Sequence, residues 1–146
     1  MNMAHHVYLS LGSNLGNKER NLRTAIQLIE KQIGRITGQS AFYISEPWGF
    51  DSQNGFVNCV ICIDTPLSPF NVLTKTQNIE REMGRTHKSI NGIYHDRLID
   101  IDILLYDDIR LQTAELTIPH PLMHLRDFVM IPLKEIAPEI ALHLLP

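Results

Sequence analysis

Two aspartates separated by one residue are the strongest candidates for chemistry in this sequence. Asp100 and Asp102 lie within the apolar segment 98–106, which predicts a β-strand. Alternation along a strand puts both carboxylates on one face, with their Cα atoms about 6.6–6.8 Å apart. The same alternation predicts that the opposite face carries Ile99, Ile101, Ile103 and Leu105.

Such a pair of carboxylates needs a cationic partner. With tips about 5 Å apart, two unit charges repel by roughly 3 kcal/mol at an effective dielectric constant of about 20. Oxygen ligands suit magnesium, which typically binds one or two carboxylates together with substrate phosphates. We therefore expect Asp100 and Asp102 to be metal ligands. The alternative is a solvated strand face on which Arg97 forms a salt bridge.

A basic segment directly precedes this strand. Arg85, Lys88 and Arg97 are its cations, and the guanidinium group of arginine matches phosphate oxygens. Phosphoryl transfer needs cations beside a metal pair, because that chemistry depends on positioning and charge stabilisation. The sequence contains no P-loop, kinase or GxGxxG motif. Bound ATP would therefore be held by magnesium, arginines and a shaped pocket; a flexible, solvated loop is the alternative.

Residues that suit a flat heterocycle occur on another predicted strand. Phe56 and Asn58 are two residues apart and share a face, so that a ring could stack and an amide could bind its edge. A core phenylalanine and a turn-capping asparagine are the alternative. Gln77 and Glu80 share one face of a predicted helix. The alternative interpretation of this pair is an ordinary solvated helix face. His120 is held between two prolines, an arrangement that equally suits a plain turn.

The elements that must position these residues follow from hydrophobic periodicity and turn residues. They predict an α+β, ferredoxin-like β-α-β-β-α-β sandwich, a mainly antiparallel sheet with helices packed on it and an extra C-terminal hairpin and helix. The strands are expected at 7–11, 36–44, 56–64 and 98–106, the helices at 18–33, 69–83 and 123–136, and the hairpin at 109–111 and 116–118. Pro132 is expected to disturb the last helix locally.

Composition bounds the class of protein. With 146 residues, 44% hydrophobic and 20% charged, we expect one domain over residues 1–146. No apolar run approaches the ~18 residues needed to span a bilayer, and the first residues do not form a signal peptide, so the expected location is the cytoplasm. The net charge of −3 argues against a non-specific nucleic-acid binder. Cys59 and Cys62 are interpreted as structural residues on opposite faces of a strand.

Taken together, the sequence resembles the 6-hydroxymethyl-7,8-dihydropterin pyrophosphokinase family of folate biosynthesis, from about residue 7 to residue 139. The segments that carry the resemblance are Gly12-Ser13-Asn14-Leu15-Gly16, Phe56-Val57-Asn58, Gln77-Asn78-Ile79-Glu80, Gly84-Arg85, Arg97-Leu98-Ile99-Asp100-Ile101-Asp102-Ile103 and Leu116-Thr117-Ile118-Pro119-His120-Pro121. Each is weak alone, but the six occur in the family's order and at nearly its spacing.

The resemblance implies transfer of the terminal pyrophosphate of ATP to the pterin's hydroxymethyl oxygen, which leaves AMP. It implies that Asp100 and Asp102 hold two Mg²⁺ ions and that Arg85 and Arg97 are catalytic with them. With Lys88 added from the basic segment, the expected ATP-binding residues are Gln77, Glu80, Arg85, Lys88, Arg97, Ile103, Thr117, His120 and Arg126. The expected pterin-binding residues are Pro47, Gly49, Phe56, Asn58, Asp100 and Phe128.

Two other classes of function remain as alternatives at this point. One is a non-catalytic ferredoxin-like module that binds a nucleotide and regulates a partner. The other is a metal-dependent phosphodiesterase or nuclease, against which stand the acidic net charge and the lack of a further carboxylate or histidine to complete a hydrolytic site. For the pyrophosphokinase we expect a monomer with small-molecule substrates, and no general base is assigned.

Overall fold

The helices and strands follow the predicted order, with further elements at the C-terminal end. The computed structural model describes residues 4–45, 55–84 and 98–143. The predicted site residues Pro47, Gly49, Arg85, Lys88 and Arg97 lie outside these ranges. The elements are β1 (His5–Ser13), α1 (Lys18–Gln32), β2 (Arg35–Gln39), β3 (Tyr43–Ser45), β4 (Phe56–Thr65), α2 (Pro69–Glu82), β5 (Asp100–Tyr106), β6 (Leu111–Gln112), β7 (Thr117–Ile118), a 3₁₀-helix (Met123–Leu125), α3 (Asp127–Ile136) and α4 (Pro138–His143).

The main sheet is antiparallel and has the strand order β2-β4-β1-β5, with β3 paired to β4 beyond the end of β2. This order and the two helices that connect its strands confirm the predicted ferredoxin-like layout. The strand predicted over 36–44 is divided into β2 and β3. The pairs of β2 end at Gln39 and those of β3 begin at Tyr43. Between them the backbone N–H of the buried Ser40 donates to the carbonyl of Val60, and its Oγ accepts the backbone N–H of Val60.

Helices α1 and α2 both begin at side-chain caps. The side chain of Asn17 accepts the backbone N–H of Arg20 at the start of α1, and that of Ser68 accepts the backbone N–H of Asn71 at the start of α2. Pro69 occupies the first turn of α2, where its missing N–H costs nothing. The apolar faces of both helices pack on one face of the sheet, against the cluster that contains Leu9, Ile61 and Ile101.

A second buried cluster lies on the opposite face of the sheet, beneath α3. Leu104 and Leu105 both belong to it, whereas Ile99, Ile101 and Ile103 belong to the helix-side cluster. The prediction that Leu105 shares the face of the three isoleucines is therefore wrong. The β1–β5 register shifts beside Tyr8 and Leu9, which pair with Leu105 and Ile103, so that one extra residue of β5 breaks the alternation.

The C-terminal part differs from the single helix predicted over 123–136. A 3₁₀-helix ends at Leu125, Arg126 is extended, and α3 begins at Asp127. Pro132 lies within α3 and does not interrupt it, so the break occurs six residues earlier than the proline suggested. The short helix α4 was not predicted. Among the described residues, none of the helices has the length and apolar character to cross a bilayer.

The two cysteines are structural in their surroundings, as predicted. Cys59 is buried in the helix-side cluster, whereas Cys62 is partly buried and pairs in register with Tyr8. Burial raises the pKa of the Cys59 thiol to about 12, so that it stays protonated and unreactive. Both thiols are free.

Candidate active site

Two of the predicted site residues, Asn58 and Asp100, lie in one row across the sheet, with Gly12 between them. Gly12 of β1 pairs with Asn58 of β4 on one side and with Asp100 of β5 on the other. In the next row on that face, Ser10 lies between Val60 and Asp102. Directly opposed residues of antiparallel strands share a face, so both aspartates and the asparagine project to the same side.

This face is the one opposite α1 and α2. Val60 belongs to the cluster beneath α3, so the side chains of its row, including Asp102, project from that face of the sheet. Asp100 and Asp102 are half-buried, and the intervening Ile101 is buried on the helix side. The structure therefore gives the two carboxylates the side-by-side arrangement that the alternation predicted.

A buried carboxylate supports the backbone between the aspartates. Glu80 of α2 is 5% exposed, and its Oε2 accepts the backbone N–H of Ile101 at 2.9 Å. This bond ties the aspartate-bearing segment of β5 to α2. Gln77, predicted on the same helix face, is exposed.

His120 lies close to Asp100, which belongs to the row of Asn58, Gly12 and Asp100, called the aspartate row from here on. Its backbone N–H donates to the carbonyl of Leu104 at 3.0 Å, and its Nδ1 accepts the backbone N–H of Leu122 at 3.3 Å. Burial lowers the pKa of the imidazole, Arg126 lowers it further, and Asp100 opposes the shift. His120 is therefore neutral near pH 7, with its remaining proton on Nε2.

The glycine in the middle of the row leaves room for the side-chain amide of Asn58. A Cβ atom at Gly12 would lie 2.6 Å from Oδ1 of Asn58 and 3.4 Å from Cδ1 of Phe56. No residue with a side chain fits there unless these groups move, since real contacts of a Cβ are essentially never that short. The first strand was predicted to end at residue 11, whereas β1 continues to Ser13. A glycine inside a strand indicates close approach of another group, and this signal could have identified Gly12.

A cavity of about 390 Å³ adjoins the end of β3 and the start of α3. It is lined by Tyr43, Ile44, Ser45, Leu125, Arg126, Asp127 and Phe128. The guanidinium of Arg126 lies over the ring of Phe128, 5.5 Å from its centroid. Because Ser45 pairs in register with Phe56, the cavity brings Arg126 and Phe128 to the Phe56 side of the aspartate row.

Ile103, one of the predicted nucleotide contacts, does not share the face that carries the two aspartates. The side chain of Ile103 is 4% exposed and packs in the helix-side cluster, so a nucleotide could contact only its backbone. Thr117 is half-buried on β7, where it pairs with Gln112. The sequence also gave no role to Ser45, whose Oγ accepts a hydrogen bond from Nδ2 of Asn58 at 2.9 Å.

Gly84 and Leu98, the described residues on either side of the basic segment, lie close to each other, and Gly16 lies beside the same leucine. A Cβ atom at Gly84 would lie 3.2 Å from Cδ1 of Leu98, and one at Gly16 would lie 3.9 Å from Cδ2 of the same leucine. Both glycines have positive φ, which favours glycine.

Acidic and imidazole side chains do not form a closed metal cage in the described ranges 4–45, 55–84 and 98–143. No group of three or more histidine, cysteine, aspartate or glutamate side chains there could hold a metal ion. The two half-buried aspartates are the kind of open, oxygen-only site that magnesium shares with substrate phosphates. The donor set therefore fits magnesium bound together with a nucleotide.

Comparisons with known proteins show which family this is. Residues 8–138 match the family described as 7,8-dihydro-6-hydroxymethylpterin-pyrophosphokinase (HPPK). A 2-amino-4-hydroxy-6-hydroxymethyldihydropteridine pyrophosphokinase of Porphyromonas gingivalis is 50% identical over 133 residues, which cover 90% of each protein. A protein of the same name in Bacillus subtilis is 39% identical over 139 residues, which cover 94% of this chain and 81% of that protein.

A solved structure agrees in fold. The crystal structure of Plasmodium falciparum HPPK-DHPS with SDX-DHP matches 95% of this chain with a TM-score of 0.77 at 18% identity. This chain spans 42% of that protein, and at this identity the likeness shows the fold alone. The resemblance seen in the sequence and the expected α+β fold are thus confirmed, and the chain belongs to the 7,8-dihydro-6-hydroxymethylpterin-pyrophosphokinase family.

Proposed function

We propose that this protein transfers the terminal pyrophosphate of ATP to 6-hydroxymethyl-7,8-dihydropterin, giving AMP and the pterin diphosphate for folate biosynthesis. Membership of a pyrophosphokinase family supports the reaction. The observation in the fold that carries the proposal is the row in which Asn58, Gly12 and Asp100 lie side by side. It puts a group that can recognise a ring next to a group that can hold a metal.

Asp100 and Asp102 would hold two Mg²⁺ ions along the triphosphate. The ions, when bound, supply positive charge that neutralises the phosphate oxygens and the charge that develops on the leaving AMP. The two carboxylates share a face of one strand, and the bond from Glu80 to Ile101 keeps that strand in place. Their fixed positions reduce the reorganisation needed during transfer.

The nucleotide would lie between this row and the basic residues. Arg85 and Arg97 would stabilise the phosphates, helped by Lys88 and Arg126, because several cations must balance a triphosphate. His120, being neutral, would donate a hydrogen bond from Nε2 and add no charge. Further contacts to ATP are proposed for Gln77, Glu80, Ile103 and Thr117.

The pterin would lie over Gly12. The rings of Phe56 and Phe128 would stack on its two faces, and the amide of Asn58 would bind its polar edge. Pro47 and Gly49 would contribute from the preceding segment. The hydroxymethyl group would then point along the row towards Asp100, where its oxygen can attack the β-phosphorus in line with the departing AMP. No side chain is assigned as general base.

The family favours this enzyme over the non-catalytic module, because the relatives in Porphyromonas gingivalis and Bacillus subtilis are named as pyrophosphokinases. We also propose that the chain acts as a single catalytic domain over residues 1–146, as a cytoplasmic monomer that does not bind nucleic acid. A single chain supplies every residue assigned above, and the net charge of −3 does not favour a polyanionic partner. Light scattering at working concentration tests the monomer.

Product analysis tests the reaction. The protein is mixed with ATP, magnesium and the hydroxymethyl dihydropterin, and the nucleotides are separated by chromatography; a parallel sample omits the pterin. We expect AMP to form in the complete mixture at the rate at which the pterin diphosphate appears. ADP as the main nucleotide, or AMP formed at the same rate without the pterin, would contradict pyrophosphate transfer.

A further inference from the structure

We propose that Ser45 is a positioning residue that fixes the plane of the Asn58 amide, and so sets the affinity of the site for the pterin. This inference rests on the proposed function, in which Asn58 binds the edge of the ring. Ser45 itself need not touch the substrate. Its hydroxyl acts through the asparagine.

The contact that carries the proposal joins two strands. Ser45 is the last residue of β3, and its Oγ accepts a hydrogen bond from Nδ2 of Asn58 on β4 at 2.9 Å. β3 pairs with β4 such that Ser45 lies opposite Phe56 and Tyr43 lies opposite Asn58. The hydroxyl thus reaches diagonally across the pair to the amide, on the face that carries the aspartate row.

The amide has a reason to need such a partner. Asn58 is 3% exposed, so its polar groups are removed from water and their orientation must come from protein contacts. The preferred angles about the last side-chain bond of asparagine are broad, so that the torsion alone does not fix the plane of the amide. Gly12, which lies next to Oδ1, has no side chain that could hydrogen-bond to the amide. The serine hydroxyl supplies the missing restraint.

The restraint leaves the amide's recognition groups available. A carboxamide has two N–H donors and one carbonyl acceptor. One N–H is directed to Ser45, while Oδ1 lies above Gly12 in the middle of the row. The pyrimidinone edge of a pterin offers ring N–H and carbonyl groups side by side, which a carboxamide of fixed plane can bind as a pair. An amide that rotates would have to be ordered when the ligand binds, at a cost in affinity.

The test measures the dissociation constant of the hydroxymethyl dihydropterin by fluorescence titration, with magnesium and a non-hydrolysable ATP analogue present. The single variants are Ser45→Ala, Ser45→Thr and Asn58→Ala. The double variant combines Ser45→Ala with Asn58→Ala. Thr37→Val is the matched control, because it removes a hydroxyl that bonds β4 at the carbonyl of Cys62, away from the row. Thermal unfolding monitored by circular dichroism verifies that each variant is folded.

We expect Ser45→Ala to weaken pterin binding about three- to tenfold, as the loss of one hydrogen bond predicts, with analogue binding unchanged. Ser45→Thr retains the hydroxyl and should restore affinity to within about twofold of wild type. In the Asn58→Ala background, Ser45→Ala should weaken pterin binding by a further factor of less than about two, because the amide through which Ser45 acts has been removed.

Three results would overturn the proposal: wild-type affinity in Ser45→Ala, equal weakening of pterin and analogue binding, or independent effects in the double variant. The outcome is separate from that of the product analysis. A wild-type protein that binds the pterin but releases no AMP contradicts the proposed function, while the series of dissociation constants still decides the role of Ser45. Absence of pterin binding by the wild type overturns both.

Discussion

Asp100 and Asp102, two residues apart on β5, place two like charges side by side on one face of the strand. Their partly buried carboxylates project from a strand whose other face is apolar. Two like charges this close repel each other, so the pair is suited to binding cations. In the proposed function those cations are magnesium ions.

We therefore expect Asp100→Ala or Asp102→Ala to lower the rate of AMP formation by about a hundredfold or more, because each removes a group that stabilises developing charge. Asp108→Ala is the matched control, since that aspartate is exposed in the turn after β5. Initial rates are compared at saturating ATP and magnesium. A near-normal rate in either site variant, with the control also normal, would remove the metal assignment.

Gly12 makes a second prediction at the scale of the residue. The Cβ of Gly12→Ala would collide with Oδ1 of Asn58 at 2.6 Å, so we expect pterin binding to weaken by at least about tenfold. Gly38→Ala is the control, because its Cβ would meet Cβ of Cys62 at 3.7 Å and Cδ1 of Ile136 at 4.0 Å, which are ordinary contacts. Titration with the pterin separates the two, and equal affinities would show that the clearance is not needed.

At the scale of the element, the support of β5 by α2 is the contact with most influence on the site. Glu80 satisfies the backbone N–H of Ile101 between the two aspartates. Helix α2 thus does more than cover the core, because it holds the segment that carries the predicted metal ligands. The apolar periodicity of the helix, which continues through Val72, Thr76 and Ile79, explains why Glu80 points inward.

Glu80→Ala should lower the free energy of unfolding by about 1–3 kcal/mol, since it leaves a buried N–H without its acceptor. Glu80→Gln keeps an oxygen acceptor and should lose less than half as much. Urea unfolding monitored by circular dichroism measures both. Equal losses in the two variants would mean that the charge of Glu80, and not its hydrogen bond, stabilises the strand.

The elements themselves were predictable to different degrees. The spacing of apolar residues and the turn residues that flank them predicted α1 and α2 to within about a residue, because those signals are local. The division of 36–44 into two strands was not predictable, because it depends on how Ser40 meets Val60 of β4. The extra residue in β5 escaped prediction for the same reason, since only pairing with β1 reveals it.

At the scale of the whole molecule, the two faces of the main sheet have different roles. One face is covered by α1 and α2 around the larger buried cluster. The other is covered by α3 at the Tyr8–Leu105 end and carries the aspartate row at the other end. His120 links the two regions, because its backbone bonds to Leu104 and its ring lies near Asp100 and Arg126.

The stability of the whole fold should therefore depend on pH through His120. Its pKa is below the ordinary value of 6.5 in the folded chain, chiefly because of burial. Between those two values the unfolded chain binds more protons, so the free energy of unfolding decreases as the pH falls from 6.5 through the lowered pKa. Above pH 6.5 this contribution is constant.

His120→Gln should flatten that part of the curve. Urea unfolding of both proteins at several pH values from 5 to 7.5 measures the difference in their free energies of unfolding. We expect the wild type to lose stability relative to the variant as the pH is lowered, because the variant has no imidazole to protonate. Parallel curves over that range would show that His120 titrates alike in the folded and unfolded chains.

The sequence by itself determined the class of fold, the family and the side-by-side aspartates, because strand alternation, helix caps and short motifs depend on residues near one another in the chain. Only the tertiary structure decided what lies beside those aspartates. The row from Asn58 through Gly12 to Asp100, the bond from Glu80 to Ile101 and the hydroxyl of Ser45 on the Asn58 amide each join different elements. Their register and packing are collective properties of the folded sheet, which no local pattern encodes.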